Sequence, residues 1–312
     1  MHSTARACLG LVGAGVAGVA YAALVERNLF TVRHRSVPVL PPGSEPLRVL
    51  HLTDMHLVPR QRRKVAWVRA LAEWDPHFVV NTGDNLAHRD AVATAMEAME
   101  PFLGLPGVFV LGSNDYFAPR LKNPAIYLTA RHRSGLATTP RLPTGELVAG
   151  LTSAGWLDLT NARGELEVGG QRLEFVGVDD PHLEFDRYDL VAGPADSGAA
   201  LTIGVTHAPY QRVLDAMVAD GAGLVIAGHT HGGQLCVPFY GALVTNCDLP
   251  TWRARGVSRW WPGAGSAPRG YAAPPDAAYL AVTAGLGTSP MAPVRFACRP
   301  EATLLTLVPR AE

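Results

Sequence analysis

The chain has 312 residues, 48% of them hydrophobic and 17% charged, which suits one large core with a terminal appendage. Its 27 Lys and Arg balance 27 Asp and Glu, so no whole-chain field holds nucleic acid, and nucleic acid is not the default partner. Four cysteines, Cys8, Cys236, Cys247 and Cys298, form no C-x-x-C pair, which argues against a zinc-thiolate site. Cys236 and Cys247 pair if the domain is exported; otherwise they are buried free thiols.

The first element is an uncharged apolar run, Ala7 to Val25. As a helix it would rise about 28 Å, close to the hydrocarbon thickness of a bilayer. A transmembrane anchor is the first reading, and a cleaved signal peptide ending near Ala20-Tyr21-Ala22 is the rival. Arg6 precedes the run while Arg27, Arg33 and Arg35 follow it. The positive-inside rule then puts the rest of the chain on the cytoplasmic side, whereas a signal-like start points the other way. The expected localisation is a membrane with a single-pass N-terminal anchor, its side left open. Ser36 to Pro46 reads as a proline-rich linker, so residues 1–46 form an anchor and linker and residues 47–312 the domain.

Leu47 to Leu52 is a short apolar run ending at polar residues, as a buried strand does. Lys64 to Trp74 has apolar residues at helical spacing and stops before Pro76. His77 to Asp84 is a second strand, Ala91 to Leu105 a helix interrupted near Pro101, and Gly107 to Asp115 a third strand. Residues 119–150 read as an insertion with a short helix around Ile126 to Arg133. Glu165 to Asp180 is a β-hairpin turning at Gly169-Gly170. A strand ending at His207, a helix closed by Gly221 and a strand ending at Gly228 follow. Residues 238–276 read as a second, loop-like insertion, and Ala277 to Ser289 and Ala302 to Pro309 supply late strands. Alternating strands and helices with polar strand ends are the pattern of an α/β domain with its site at the carboxyl edge of the sheet.

The polar tips are Asp54 and His56, Asp84, Asn114 with Asp115, His207, and His229 with His231. Carboxylate, imidazole and amide donors together suit first-row divalent metals. A carboxylate between two such ions bridges them at about 3.5–4 Å. A lone strand-end histidine is usually just hydrogen-bonded, and Gly-Asp is common turn chemistry. Two histidines one residue apart between glycines are harder to explain without a ligand, because buried imidazoles are costly.

The blocks TDMHL, NTGDN, LGSND, VTHAP and AGHTHGGQ resemble the five motifs of the calcineurin-like metallophosphoesterases. The ending GLGTSPMAPVRFACRPEATLLTL is similar to membrane-associated bacterial members, a phosphodiesterase-type subset. The resemblance runs from Leu47 to the C-terminus. It implies a four-layer α/β/β/α sandwich of two mixed sheets, here preceded by a transmembrane helix. It implies two divalent ions, drawn from Mn, Zn, Fe or Co: one held by Asp54, His56 and His231, the other by Asn114, His207 and His229, with Asp84 bridging. It also implies phosphate-ester hydrolysis in which a metal-bridging hydroxide attacks phosphorus in line. A phosphodiester is favoured, and the anchor points to a lipid-linked one. No protein partner is inferred.

One block departs from the pattern. The family usually has Gly-Asn-His followed by an acid; here the residues are Gly112-Ser113-Asn114-Asp115. A one-residue shift keeps Asn114 as the amide ligand. Asp115 is then the candidate substitute acid for the absent histidine, with His182 or His132 as others that could reach in. A metallo-β-lactamase-like enzyme needs Asp-His soon after H-x-H, and Gly-Gly-Gln stands there instead. The alternative of another class is a non-catalytic metal-binding module on a phosphoesterase fold. Arg60 to Lys64 reads as a solvated helix start or a contact for an anionic surface. Trp252, Trp260 and Trp261, mixed with arginines, read as a packed loop, a headgroup contact or a base-stacking surface.

Overall fold

The computed structural model describes residue 13, residues 15–121 and residues 138–311. Strand β1 (Thr31–Leu40) precedes β2 (Leu47–Leu52), the helix Arg62–Ala70, β3 (Phe78–Asn81), the helix Val92–Met99 and β4 (Gly107–Phe109). The helix Thr144–Ser153 leads to β5 (Leu157–Asp158) and then to the hairpin of β6 (Arg163–Val168) and β7 (Gln171–Gly177). β8 (Leu201–Thr206), the helix Gln211–Ala219 and β9 (Leu224–Ala227) follow. The remainder is a small hairpin of β10 (Cys236–Val237) and β11 (Gly241–Ala242), then β12 (Gly256–Trp260), β13 (Ala278–Val282) and β14 (Glu301–Pro309).

Two six-stranded sheets result, in the orders β1-β14-β2-β3-β4-β5 and β12-β13-β9-β8-β7-β6. Both are mixed: β14 runs antiparallel to β2 while β2, β3 and β4 are parallel, and β12 and β6 are the antiparallel edges of a parallel β13-β9-β8-β7 core. Val49, Phe78, Val80 and Val108 of the first sheet meet Phe175, Ile203, Val205 and Ile226 of the second in one buried layer. The outer face of the first sheet buries Leu50, Leu52, Val79 and Phe109 with Val65, Val68, Ala95, Met99, Leu147 and Leu151 of its helices. The second sheet packs Val225 and Leu280 against Val213, Leu214 and Met217. Parallel strands covered on both faces read as continuous apolar runs, which is why β8 and β9 are legible in the sequence. Gly169 and Gly170, with φ of 58° and 71°, make the two-residue turn that both-positive φ requires.

Three sequence readings change. The segment read as a linker, Ser36 to Pro46, holds the second half of β1, whose Val37, Val39 and Leu40 are buried and which pairs in parallel with β14, so the sheet begins at Thr31. Pro38 is tolerated there because β1 is an edge strand. The second insertion contributes β12, and the first ends in the helix Thr144–Ser153, whose Leu147 and Leu151 are core. The helix expected around Ile126 to Arg133, and His132 with it, lies outside the described residues. So does much of the apolar run expected to cross a membrane. Among the described residues no helix is long and apolar enough to cross one; residues 15–20 are helical and continue through Tyr21–Val25 and Glu26–Asn28.

Candidate metal centre

Asp54 and His56 follow β2, Asp84 follows β3, His207 follows β8, and His229 and His231 follow β9. The face-to-face sheets bring these strand ends to one place. Asp54, His56, Asp84, His229 and His231 all have left-handed backbones, with φ between 43° and 67°. That conformation is unfavourable for residues with a Cβ and concentrates at functional sites. Gly228 cannot be replaced by a larger residue, because a Cβ there would lie 2.2 Å from Thr53 Oγ1 and 2.7 Å from Asp54 Oδ2.

Two groups of donor atoms converge, Asp54 with His56 and His231, and Asp54 with Asp84 and His207. In the first, His231 Nε2 is 3.4 Å from Asp54 Oδ1 and 3.2 Å from His56 Nε2. Asp84 reaches both sides: Oδ2 is 3.4 Å from His56 Nε2 and Oδ1 is 3.6 Å from His207 Nε2. His229 Nδ1 lies 3.3 Å from His207 Nε2.

The donor set fits cations. His207 Nδ1 donates to Thr82 O at 2.6 Å and His229 Nε2 donates to Asn246 O at 3.1 Å. In the neutral tautomers these bonds fix, the two ring nitrogens facing each other are both lone pairs. Buried Asp54 Oδ1 has no hydrogen-bond partner either. Facing acceptors without a donor are costly in a buried site, and a metal ion resolves the conflict. In the metal-free chain a proton stands in for it. Burial opposes charge on His207, but Asp84, Asp180 and Asp54 outweigh it and push its pKa up to about 9. Burial lowers His56 to about 4 and holds His229 and His231 well below the ordinary histidine value. Burial raises Asp54 to about 6; for Asp84 the same burial is outweighed by His207, His56 and the Asn114 bonds, so it stays low.

The irregular block differs from expectation. Asp115 is fully buried and its carboxylate accepts the backbone amides of Asp84 (2.8 Å), Asn85 (2.8 Å), Gly112 (3.0 Å) and Leu86 (3.3 Å). This corrects its reading as a substitute acid: every oxygen is committed to the turn that carries Asp84. Burial and Asp84 raise its pKa to about 7. Asn114 donates from its backbone to Asp84 Oδ1 and from Nδ2 to Oδ2, each at 2.7 Å. Its amide therefore lies against the oxygen facing His56, not the one facing His207. Asn114 thus sits against the bridging carboxylate, with both of its N–H groups committed to Asp84.

Asp180 and Arg295, missed in the sequence, complete the surroundings together with Ser113 and His182. Ser113 Oγ donates to the fully buried Asp180 at 2.5 Å, and Asp180 Oδ1 accepts from His182 N at 2.8 Å. His182, named from the sequence as able to reach in, is buried with its ring 4.6 Å from that of His229. Arg295 is fully buried and donates to Ala284 O and Gly287 O at 2.7 Å, with Nη2 3.3 Å from His231 Nδ1. Gly285 of GLGTS marks a close approach to the centre, since a Cβ there would lie 2.5 Å from that of Asp54. Cys236 and Cys247 are both free thiols, so the pairing considered for an exported domain is not made. The arginine–tryptophan segment is packed, but as a short turn leading into β12 and not as a loop throughout: Arg253 is buried, 4.1 Å from the Trp252 ring centre and 5.1 Å from that of buried Trp260.

The profile of the family described as Calcineurin-like phosphoesterase matches residues 47–233, more than half of the chain. The chain belongs to that family. This phosphoesterase is also similar to the uncharacterized protein YpbG of Bacillus subtilis (strain 168), 26% identical over 94% of this chain and 96% of that one. The uncharacterized metallophosphoesterase YkuE of the same organism is 23% identical over 93% and 90%. Among solved structures, a 5'-nucleotidase precursor from Thermus thermophilus matches at 14% identity with a TM-score of 0.41, over 84% of this chain and 55% of that one. An archaeal phosphodiesterase matches at 14% with a TM-score of 0.31, over 59% and 74%. The phosphoesterase is thus a hydrolase of phosphoric esters with a candidate site for divalent metal.

Proposed function

We propose that this phosphoesterase hydrolyses phosphodiesters with two divalent ions, from among Mn, Zn, Fe and Co. Asp54, His56 and His231 would hold one, His207 and His229 the other, with Asp84 shared between the two groups. The observation that carries this is the pair of facing imidazole nitrogens, His229 Nδ1 and His207 Nε2, with Asp84 spread between His56 and His207. Bound ions supply activation of the nucleophile and charge neutralisation at phosphorus. The chain's own residues hold the arrangement: Thr82 and Asn246 fix the tautomers, Asp115 fixes the turn of Asp84, and Arg295 donates to the His231 carbonyl. No histidine follows Gly112-Ser113, so proton delivery to the leaving group is weaker than in relatives that have one, and an acidic leaving group suffers least. That favours an ester with an acidic leaving group, while the preference for a diester rests on the apolar N-terminal run.

We further propose a lipid-linked substrate at a membrane reached through the N-terminal run, on a side the charge balance leaves open. In support, Arg295 N donates to Ala22 O (3.1 Å) and Cys298 N to Glu26 Oε1 (2.7 Å), joining the end of that run to the segment behind His231.

The test removes metal, adds back each ion, and assays an activated diester and monoester beside Asp84→Asn and His229→Ala. Metal-dependent turnover, with each variant down about a hundredfold or more, is expected. Paired metal binding without turnover favours the binding-module reading; equal turnover by the metal-free chain overturns both.

A further inference from the structure

A second surface lies beside the metal centre. His231 to Gly233 runs straight into the β10–β11 hairpin, and that hairpin turns its large side chains outward. Leu235 is 50% exposed, Val237 43%, Tyr240 69%, Leu243 57%, and Phe239 at the tip is fully exposed at 110%. Phe239 also has a left-handed backbone, with φ of 66°. A bulky residue there costs local strain as well as leaving its ring in water.

This surface continues onto the N-terminal helix. Leu235 bridges to Phe296, whose backbone bonds both Gln234 and Cys236. The preceding residue, Arg295, holds Ala22. Around that joint Val16, Val19 and Leu24 are each more than 60% exposed, and Met291 and Phe296 are also outward. Such clustering is beyond the scattered apolar residues of an ordinary surface. Its rim is basic. Exposed Arg299 stands three residues after Phe296, and half-buried Arg27 lies in the last turn of the N-terminal helical segment.

We propose that the face formed by the hairpin Leu235–Leu243, Phe296 and the end of the N-terminal helix docks into the headgroup region of an anionic bilayer, with Phe239 inserted. A bilayer is the occupant because three observations agree. The apolar patch is continuous with an apolar terminal segment, aromatic side chains lie at its edge, and arginines flank it as anionic headgroups require. The docking does not depend on residues 7–25 crossing the bilayer. It takes from the proposed function only that the metal centre is the active site, which it would hold against the lipid surface.

The test uses the full chain with Phe239→benzoylphenylalanine, and separately Glu165→benzoylphenylalanine on exposed β6, irradiated with phosphatidylcholine–phosphatidylglycerol vesicles. Lipid adducts at 239 and only background at 165 are expected, with the 239 adduct falling in vesicles lacking phosphatidylglycerol. Equal adducts at both positions, a protein adduct in place of lipid at 239, or failure of the chain to associate with vesicles overturns the proposal. Phe239→Asp is assayed alongside on a water-soluble activated diester. Unchanged turnover shows an intact site, and absence of turnover in the parent chain counts against the hydrolase reading without touching the lipid result.

Discussion

Replacing Asp115 by alanine separates two roles that a carboxylate beside a metal centre can have. Its oxygens accept backbone amides of Asp84 and Asn85 at 2.8 Å and Gly112 at 3.0 Å, all in a buried environment. Each buried donor left without an acceptor costs about 1–3 kcal/mol. Water entering the space offsets part of that, so the three short bonds together give a loss of about 3–6 kcal/mol. Set against a typical total of about 5–15 kcal/mol, that is a large fraction. The turn also aims Asp84, so metal affinity falls along with stability. The assay is denaturant unfolding of the parent and Asp115→Ala chains, each metal-free and metal-loaded, with metal content measured separately. A large drop in midpoint together with lost metal is expected. If the variant unfolds within about 1 kcal/mol of the parent, retains its metal and loses only turnover, the clamp is wrong and Asp115 is an acid after all.

Chelation lowers the melting temperature and divalent metal restores it, because the ion relieves the opposed lone pairs of His207 and His229; an unchanged melting temperature removes the case for a metal site. Gly228→Ala, whose Cβ would lie 2.2 Å from Thr53 Oγ1, abolishes metal binding. Gly104→Ala, with nothing within 4 Å, leaves binding intact, and metal titration of the two compares them directly. Burial lowers the His51 pKa from 6.5 to about 3, so the fold holds it neutral. Its contribution is complete above about pH 6.5 and is lost as pH falls toward 3, by up to about 1.4 kcal/mol per unit. His51→Gln therefore flattens the acid limb of the stability profile by one proton, and identical slopes contradict the assignment.

The amino-acid sequence by itself marked most of the core strands and the polar strand ends where candidate ligands collect. Runs such as Leu201 to Thr206 and Leu224 to Ala227 are apolar throughout because parallel strands are covered on both faces, and their polar ends mark the edge where donors collect. His229 and His231 were legible because two imidazoles between glycines at a strand end have few structural uses. Tertiary structure decided what local pattern cannot carry. Thr31 to Leu40 is a strand only because β14, at the far end of the chain, offers it an edge that accepts Pro38. Arg295, Asp180 and His182 reach the centre from loops whose sequence has no periodicity, and only the packing of two sheets shows where those loops converge. Asp115 is the sharpest instance. Its identity suggested chemistry, but its role was fixed by which backbone amides the fold points at its oxygens, and hydrogen-bond direction is a property of three-dimensional placement alone.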